Sequence, residues 1–130
     1  MGKEKREYKI GEIYWAHLNG RDHVQHGWHP VVIIQNNIGN KYSNTLVTVP
    51  ITSRIKSKLP THIKVKSGSF GLCKDSTIQC EGSQVIDKSW VGDYIGVLDD
   101  KMMREVAKGC LINTPFLSFL DKEDVASLLN

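Results

Sequence analysis

HPVVIIQNNIGNKYSNTLVTVPITS, residues 29–53, contains two apolar runs that are separated by turn-forming residues. Both runs, VVIIQ and TLVTVPITS, are rich in β-branched residues and have the length of a β-strand. Pro30 suits the first residue of a strand, where no backbone donor is needed, and Pro50 is typical of a sheet edge or a bulge. Residues 36–44 are rich in Asn, Gly and Ser, which favour a turn. The stretch therefore predicts two strands joined by a turn.

Further short strands are predicted on both sides of this pair. Residues 11–18 alternate in polarity and carry aromatic side chains, and residues 61–66 alternate between apolar and basic. Residues 76–86 favour a strand that breaks near Gly82, because a glycine inside a strand pattern often marks a bulge. The polar residues 19–28 predict a loop that is long for a connection in a compact domain, and such loops are often functional.

Helices are predicted only late in the chain. Residues 99–111 open with two acids and carry apolar side chains at helical spacing, and residues 121–129 favour a second, shorter helix. No helical pattern separates the early strands, which argues against a doubly wound α/β sheet. The pattern predicts a mainly β fold, a small barrel or sandwich, with helices packed on it.

The composition is that of one domain. The 130 residues are 40% hydrophobic and 24% charged, values that exclude a long disordered chain. We expect a single domain over residues 1–130, with residues 1–7 flexible. No apolar stretch is long enough to cross a membrane and no secretory signal is recognisable, so we expect a cytoplasmic protein. The three cysteines form no CxxC pair, which disfavours a structural zinc site.

The positive charge is concentrated in the first half of the chain. Residues 1–66 carry eleven Lys and Arg against four Asp and Glu, whereas residues 67–130 carry six against ten. From Lys41 to Lys66 there are six basic residues and no acid. Such a block either attracts a polyanion or forms a solvated basic face, and charge alone does not decide between the two.

Motifs of the common enzyme classes are absent, and one histidine cluster is present. The chain has no Walker loop, GxGxxG, GxSxG or HExxH pattern, which argues against nucleotide hydrolases, Rossmann enzymes, α/β-hydrolases and zincins.

His23, His26 and His29 have the spacing H-x2-H-x2-H, which invites a metal hypothesis. Beyond Asp22 no acid or thiol lies nearby to complete the ligand set. We therefore expect no metal, and a loop that either titrates near neutral pH or is merely polar.

Several fragments, in their order along the chain, resemble the MazF/PemK toxin family. The resemblance extends roughly from Tyr8 to Phe116 and leaves the last dozen residues outside it. It rests on the following fragments: Gly11-Glu12-Ile13-Tyr14, Gly27-x-x-Pro30, VVIIQNNIGN (residues 31–40), Ile51-Thr52-Ser53, KLPTH (residues 58–62), Asp75-Ser76, Ile86-Asp87-Lys88 and LDDKMM (residues 98–103). Each fragment is modest, but their order together is specific.

The resemblance implies an SH3-like β-barrel with a C-terminal helix that forms a homodimer, followed here by an extra helical tail over residues 117–130. It implies the toxin of a type II toxin–antitoxin system, a metal-independent and sequence-specific endoribonuclease that needs no cofactor. The substrate would be single-stranded RNA, usually mRNA, cut to 2′,3′-cyclic phosphate and 5′-hydroxyl ends. A second partner would be an acidic antitoxin protein that blocks the RNA groove.

The resemblance also implies catalytic residues, with one substitution among them. Thr52 matches a threonine at the end of the later strand, and it would hold the phosphate or the attacking oxygen. His29 stands where much of the family has an arginine. An imidazole lacks the guanidinium fork but exchanges protons near about pH 6.5, so His29 would act as general base or acid. Glu81 matches a family acid and would orient His29 or be the opposite proton carrier.

RNA contacts are expected from residues around these three. Where relatives carry an acid-Gln-x-Arg segment, this chain has Glu81-Gly82-Ser83-Gln84, so a family cation is missing there too. The expected RNA-binding residues are Ser53, Trp28, Lys56, Lys58, Gln79 and Gln84, with Trp28 as a stacking platform for a base. The missing arginines leave one alternative open, a weakened or inactive module that binds antitoxin or RNA without cleaving. A structural adaptor is a third class, which leaves Thr52 and the basic block without a purpose.

Overall fold

The computed structural model of the chain describes residues 6–54 and 58–129. Within them a single sheet is followed by helices. The strands are β1 (Glu12–Asn19), β2 (His26–Ile33), β3 (Thr45–Thr52), β4 (His62–Val65), β5 (Ser76–Gln79), β6 (Gln84–Asp87) and β7 (Val91–Val97). The α-helices are α1 (Asn37–Tyr42), α2 (Asp100–Asn113) and α3 (Lys122–Leu128), and short 3-10 helices span Cys80–Gly82, Lys88–Trp90 and Phe116–Phe119. The prediction of a mainly β fold with late helices is confirmed.

The strands are antiparallel throughout and follow the order β4-β5-β3-β2-β1-β7, with β6 paired to β3 on the edge opposite β2. On that edge β3 pairs with two strands, since its first half pairs with β6 and its last two residues, Ile51 and Thr52, pair with β5. The terminal strands β4 and β7 do not pair with each other in the described residues. The turn between β4 and β5 approaches β7 instead, because the backbones of Gly71 and Gly96 lie against Ile95 and Phe70 without room for a Cβ.

Both faces of the sheet are buried, and this fixes the ends of β2 and β3. One cluster packs the sheet against α2, where Val106 is buried, and includes Val32 and Ile51. The other cluster covers the opposite face with Tyr14, Leu46 and further apolar residues. Burial of apolar side chains is the dominant stabilising contribution to such a fold. The two strands that carry His29 and Thr52 are therefore anchored in the buried core.

The hairpin between β1 and β2 is longer than its sequence indicates. Strand β1 continues to Asn19 and β2 begins at His26, so the loop spans only residues 20–25, and the predicted loop over 19–28 is wrong at both ends. Trp28 and His29 lie inside β2, opposite His17 and Ala16. Exposed polar residues obscure this pairing, because the ladder hydrogen bonds come from backbone groups that the side-chain pattern does not report.

The predicted turn over residues 36–44 contains the short helix α1. Its first turn is capped by Asn36, whose side chain accepts a hydrogen bond from the Gly39 amide at 2.9 Å. An asparagine cap offsets the low helix propensity of Gly39 and Asn40. The prediction of a turn was therefore wrong in its local structure, although it joins β2 and β3 as expected.

The two late helices are confirmed, each with an aspartate cap at its N-terminus. Asp99 accepts from the Met102 amide at 2.8 Å, and Asp121 forms a capping box with Asp124. Of the predicted flexible segment 1–7, residues 1–5 lie outside the described part of the chain, and the Arg6 guanidinium donates to the carbonyl of Gly92. In the residues described, no helix has the length and apolar character that a membrane crossing requires.

Candidate functional site

A cavity of about 420 Å³ opens beside β2 and the end of β3. The turn between β4 and β5 contributes to its wall, together with single residues from β1, β5 and β7. The lining residues are Trp15, His26, Trp28, His29, Pro30, Ile51, Thr52, Ser53, Arg54, Gly71, Leu72, Cys73, Lys74, Ser76 and Ile95. These described residues include basic side chains and two imidazoles, and no Asp or Glu. We call the cavity that they line the reaction cleft. Its lining favours an anionic ligand.

His29 is held in one orientation by a backbone contact. It is half-buried, and its Nε2 lies 2.9 Å from the carbonyl oxygen of His26. A carbonyl oxygen only accepts hydrogen bonds, so the single N–H of the neutral ring is at Nε2. Nδ1 then keeps a lone pair. The ring therefore has the tautomer of a proton acceptor at Nδ1.

Thr52 is fixed by sheet pairing and by its own hydroxyl. The residue is 6% exposed, and it pairs with Thr77 of β5. Its Oγ1 accepts a hydrogen bond from the Arg54 amide at 3.2 Å. Because the amide is the donor, the hydroxyl hydrogen stays available for an acceptor in the cleft. Ser53, which is exposed, lines the cleft beside it.

Two basic residues and one imidazole of the reaction cleft were missed by sequence reasoning. Arg54 follows Ser53 directly, and its position just beyond a strand end in the basic block is a signal that points to it. His26 was considered only as a metal ligand. Lys74 carries no such signal, because only the folding of the turn between β4 and β5 brings it to β2 and β3.

The reaction cleft continues into two neighbouring surfaces of different chemistry. On one side Trp15 and Trp28, which are 42% and 59% exposed, also line a shallow depression with Gly92 and Asp93. The Trp28 ring meets His17 edge to face, with centroids 5.5 Å apart. On the other side a basic groove shares Ser53 and Ser76 with the reaction cleft; its remaining lining residues are Lys64, Val65, Lys66, Asp75 and Thr77.

The structure does not bring Glu81 to His29. The Glu81 carboxylate accepts from the Thr61 hydroxyl at 2.8 Å and from His62 Nε2 at 2.7 Å, and it does not line the reaction cleft. His62 Nδ1 in turn accepts from the Leu59 amide at 3.2 Å, so the proton lies on Nε2. This cluster ties the chain before β4 to the 3-10 helix after β5. The Glu81 carboxylate thus contacts Thr61 and His62, and not His29 as predicted.

The hydrogen bonds of this cluster lower the pKa of the Glu81 carboxyl. Burial raises the pKa of this carboxyl, but the hydrogen bonds from His62 and Thr61 together outweigh burial and leave it below its ordinary value. The carboxylate form is therefore stabilised by folding. The stability that it contributes is present above the ordinary carboxyl pKa of 4.5 and is lost as the pH falls through the lower folded value.

Replacing Glu81 by alanine is expected to lower the free energy of unfolding by about 1–3 kcal/mol, because the His62 ring, 3% exposed, loses the acceptor of its Nε2 proton. Thermal melts at neutral pH measure the loss, and Glu123→Ala on exposed α3 is the matched control. The difference in melting temperature between the wild type and Glu81→Ala should become smaller as the pH falls below 4.5. A difference that stays constant with pH would contradict the assignment.

The remaining predicted RNA contacts lie elsewhere. The Gln79 side chain accepts from Gln25 Nε2 at 2.6 Å, and Gln84 donates to the Gln25 carbonyl at 3.3 Å, so both hold the hairpin loop. Lys58 is exposed and does not line the reaction cleft, while Lys56 falls outside the described residues. Within residues 6–54 and 58–129, no group of three or more His, Cys, Asp or Glu side chains is arranged to hold a metal ion.

Comparison with known proteins supports a toxin family. The family model of the PemK-like, MazF-like toxin of type II toxin–antitoxin systems matches residues 9–112. Endoribonuclease EndoA of Bacillus subtilis (strain 168) is 39% identical over 115 residues, which cover 85% of this chain and 97% of the relative. Endoribonuclease MazF of Staphylococcus saprophyticus is 43% identical over 98 residues, which cover 74% of this chain and 82% of the relative.

Solved structures agree with this fold at much lower sequence identity. MazF from Deinococcus radiodurans superposes with a TM-score of 0.72 at 16% identity, over 83% of this chain and 96% of that chain. An endoribonuclease from a mycobacterial species, solved in complex with its cognate antitoxin, gives 0.70 at 20% identity, over 83% and 95%. Family model, relatives and fold agree, and the chain belongs to the PemK-like, MazF-like toxin family of type II toxin–antitoxin systems.

Proposed function

We propose that this chain is the toxin of a type II toxin–antitoxin system and a sequence-specific endoribonuclease that cleaves single-stranded RNA, usually mRNA. Two relatives with about two fifths of their residues in common with it are named endoribonucleases. The observation that carries the proposal is the reaction cleft, in which His29 and Thr52 lie together among basic residues and without a lining acid. A phosphodiester is the anion that this set of groups suits.

The proposed reaction is a transfer within the RNA strand. His29 Nδ1 takes the proton of the ribose 2′-hydroxyl, and the 2′ oxygen forms a bond to the adjacent phosphorus. The bond from phosphorus to the 5′ oxygen breaks, and we assign to His26, the other imidazole of the cleft, the proton that this oxygen receives. Thr52 donates its hydroxyl hydrogen to a non-bridging phosphate oxygen as charge accumulates there. The products are a 2′,3′-cyclic phosphate and a 5′-hydroxyl, and these side chains account for every proton without a metal or a cofactor.

The flanking surfaces suit the rest of the strand. A base stacked on an exposed aromatic ring gains roughly 1–3 kcal/mol, and Trp28 and Trp15 offer two such rings at one end of the reaction cleft. Lys64 and Lys66 lie in the basic groove at the other end, where they suit phosphates. Ser53, shared by reaction cleft and groove, is a further donor for the backbone.

The test of the function is incubation of the purified protein with a long single-stranded transcript in EDTA, with the product ends identified. We expect cutting at a short recurring sequence, with 2′,3′-cyclic phosphate and 5′-hydroxyl ends. A folded protein that leaves the transcript intact between about pH 5 and 8, where an ordinary imidazole changes its charge, would contradict the nuclease function and favour the alternative of a module that binds without cleaving. Expression in growing cells separates the same outcomes, because only a nuclease arrests growth.

The proposal includes the chain's partners and its organisation. We propose a single domain over residues 1–130 that forms a homodimer and binds an acidic antitoxin across its basic surface. The basic residues of the cleft and groove suit an acidic peptide as well as RNA. Light scattering of the purified chain tests the dimer, and a monomer at micromolar concentration would contradict it.

A further inference from the structure

We infer that Arg54, assisted by Lys74, is the phosphate-binding cation of the reaction cleft and takes over the charge that His29 does not supply. The inference rests on the proposed ribonuclease function and assigns a further residue to it. Arg54 lies two positions after Thr52, just beyond the end of β3, whereas His29 lies on the neighbouring strand β2. Both residues line the same cavity, so the fold brings a guanidinium to the cleft from the segment that follows β3.

The proposed chemistry creates the need for such a cation. The attacked phosphodiester carries one negative charge, and a second develops in the phosphorane as the 2′ oxygen attacks. The unprotonated His29 ring is uncharged when the attack begins, and the Thr52 hydroxyl is uncharged throughout. His26 loses its positive charge with the proton that it gives to the 5′ oxygen. A fixed cation at the phosphate is the missing contribution, and a guanidinium with its planar fork can bind two phosphate oxygens at once.

The position of Arg54 suits this role. Its amide donates to Thr52 Oγ1 at 3.2 Å, so the backbone at residue 54 is tied to the hydroxyl that we assign to the phosphate. Its side chain is exposed, lines the reaction cleft, and forms no salt bridge with a carboxylate of the described residues. A guanidinium without a protein partner binds an incoming anion without first breaking an ion pair.

Lys74 adds a second positive charge from the turn between β4 and β5. The Lys74 carbonyl accepts from the Ser76 hydroxyl at 2.8 Å, which fixes the backbone next to the cleft. Asp75, the neighbouring acid, accepts from the Ser67 amide at 2.9 Å and lines the basic groove, not the reaction cleft. Lysine provides a point charge without the fork, so we expect Lys74 to strengthen binding and Arg54 to align the phosphate.

Arg54→Gln tests the inference, with Arg104→Gln as its matched control, because Arg104 is exposed on α2 and does not line the reaction cleft. Cleavage is followed on the long transcript, and affinity is followed by fluorescence anisotropy with a 2′-O-methyl RNA that spans a mapped cut site. We expect Arg54→Gln to weaken binding about tenfold and to flatten its salt dependence, while Arg104→Gln stays near wild type. Arg54→Lys should restore the salt dependence but only part of the cleavage rate.

A double substitution tests whether Arg54 provides the positive charge that His29 lacks. In a His29→Arg background the cleft has a second guanidinium, so Arg54→Gln should cost less affinity than it does in the wild type. Equal costs in the two backgrounds, or an Arg54→Gln protein that behaves like Arg104→Gln, would overturn the inference. Should Arg54→Gln melt at a lower temperature than the control, Lys74→Gln provides the second measurement, with a smaller loss of affinity expected. A wild type that does not cleave would refute the proposed function, whereas a cleaving wild type with an unaffected Arg54→Gln would refute only the role of Arg54.

Discussion

His29→Ala is expected to lower the rate of RNA cleavage by roughly 10²–10⁴-fold, the usual contribution of a general base. The half-buried ring gives little to the fold, since the one hydrogen bond lost is that from Nε2 to the His26 carbonyl. The loss should therefore fall on the rate of the chemical step and leave the melting temperature near that of the wild type. Single-turnover cleavage of the long transcript, with protein in excess, measures that step directly.

His23→Ala is the matched control for this substitution. His23 lies in the hairpin loop between β1 and β2 and does not line the reaction cleft, although its spacing from His26 and His29 made it a member of the predicted histidine cluster. His26→Ala should slow cleavage as well, because the proposed reaction takes the proton for the departing 5′ oxygen from His26. A His29→Ala protein that cuts as fast as His23→Ala would exclude His29 as the base.

The strands of the sheet could be predicted because each one has a recognisable pattern of residues within its own segment of sequence. The β-branched runs of β2 and β3 and the alternation of β4 follow the two-residue period of a strand that is buried on one or both faces. The extension of the β1–β2 hairpin could not be predicted, since it depends on backbone pairing between exposed polar residues such as His17 and Trp28. The residues of one segment do not indicate which other segment its backbone will pair with.

The candidate site divides in the same way. The family resemblance pointed to His29 and Thr52, and sheet pairing brings their two strands together beside one cavity. Glu81 was linked to the wrong histidine, because its partner His62 lies nineteen positions away on a separate segment. Lys74 was missed for the same reason, since a turn that follows β4 reaches the cleft only in the folded chain. The sequence therefore predicted the two strands that border the cavity, but not the residues that only tertiary contacts bring to it.

Thr52→Val follows from the geometry of the hydroxyl and is expected to slow cleavage by about 10²–10³-fold, as removal of one donor to developing charge does. Valine keeps the shape and the β-branch that suit the end of β3, so the sheet pairing with Thr77 should persist. Two contributions are lost together: the hydrogen given to the phosphate, and the acceptor that holds the Arg54 amide. Thr52→Ser retains both and should keep most of the rate. If Thr52→Val and Thr52→Ser cleave equally fast, the hydroxyl has no part in the reaction, and the alignment of Arg54 must come from another contact.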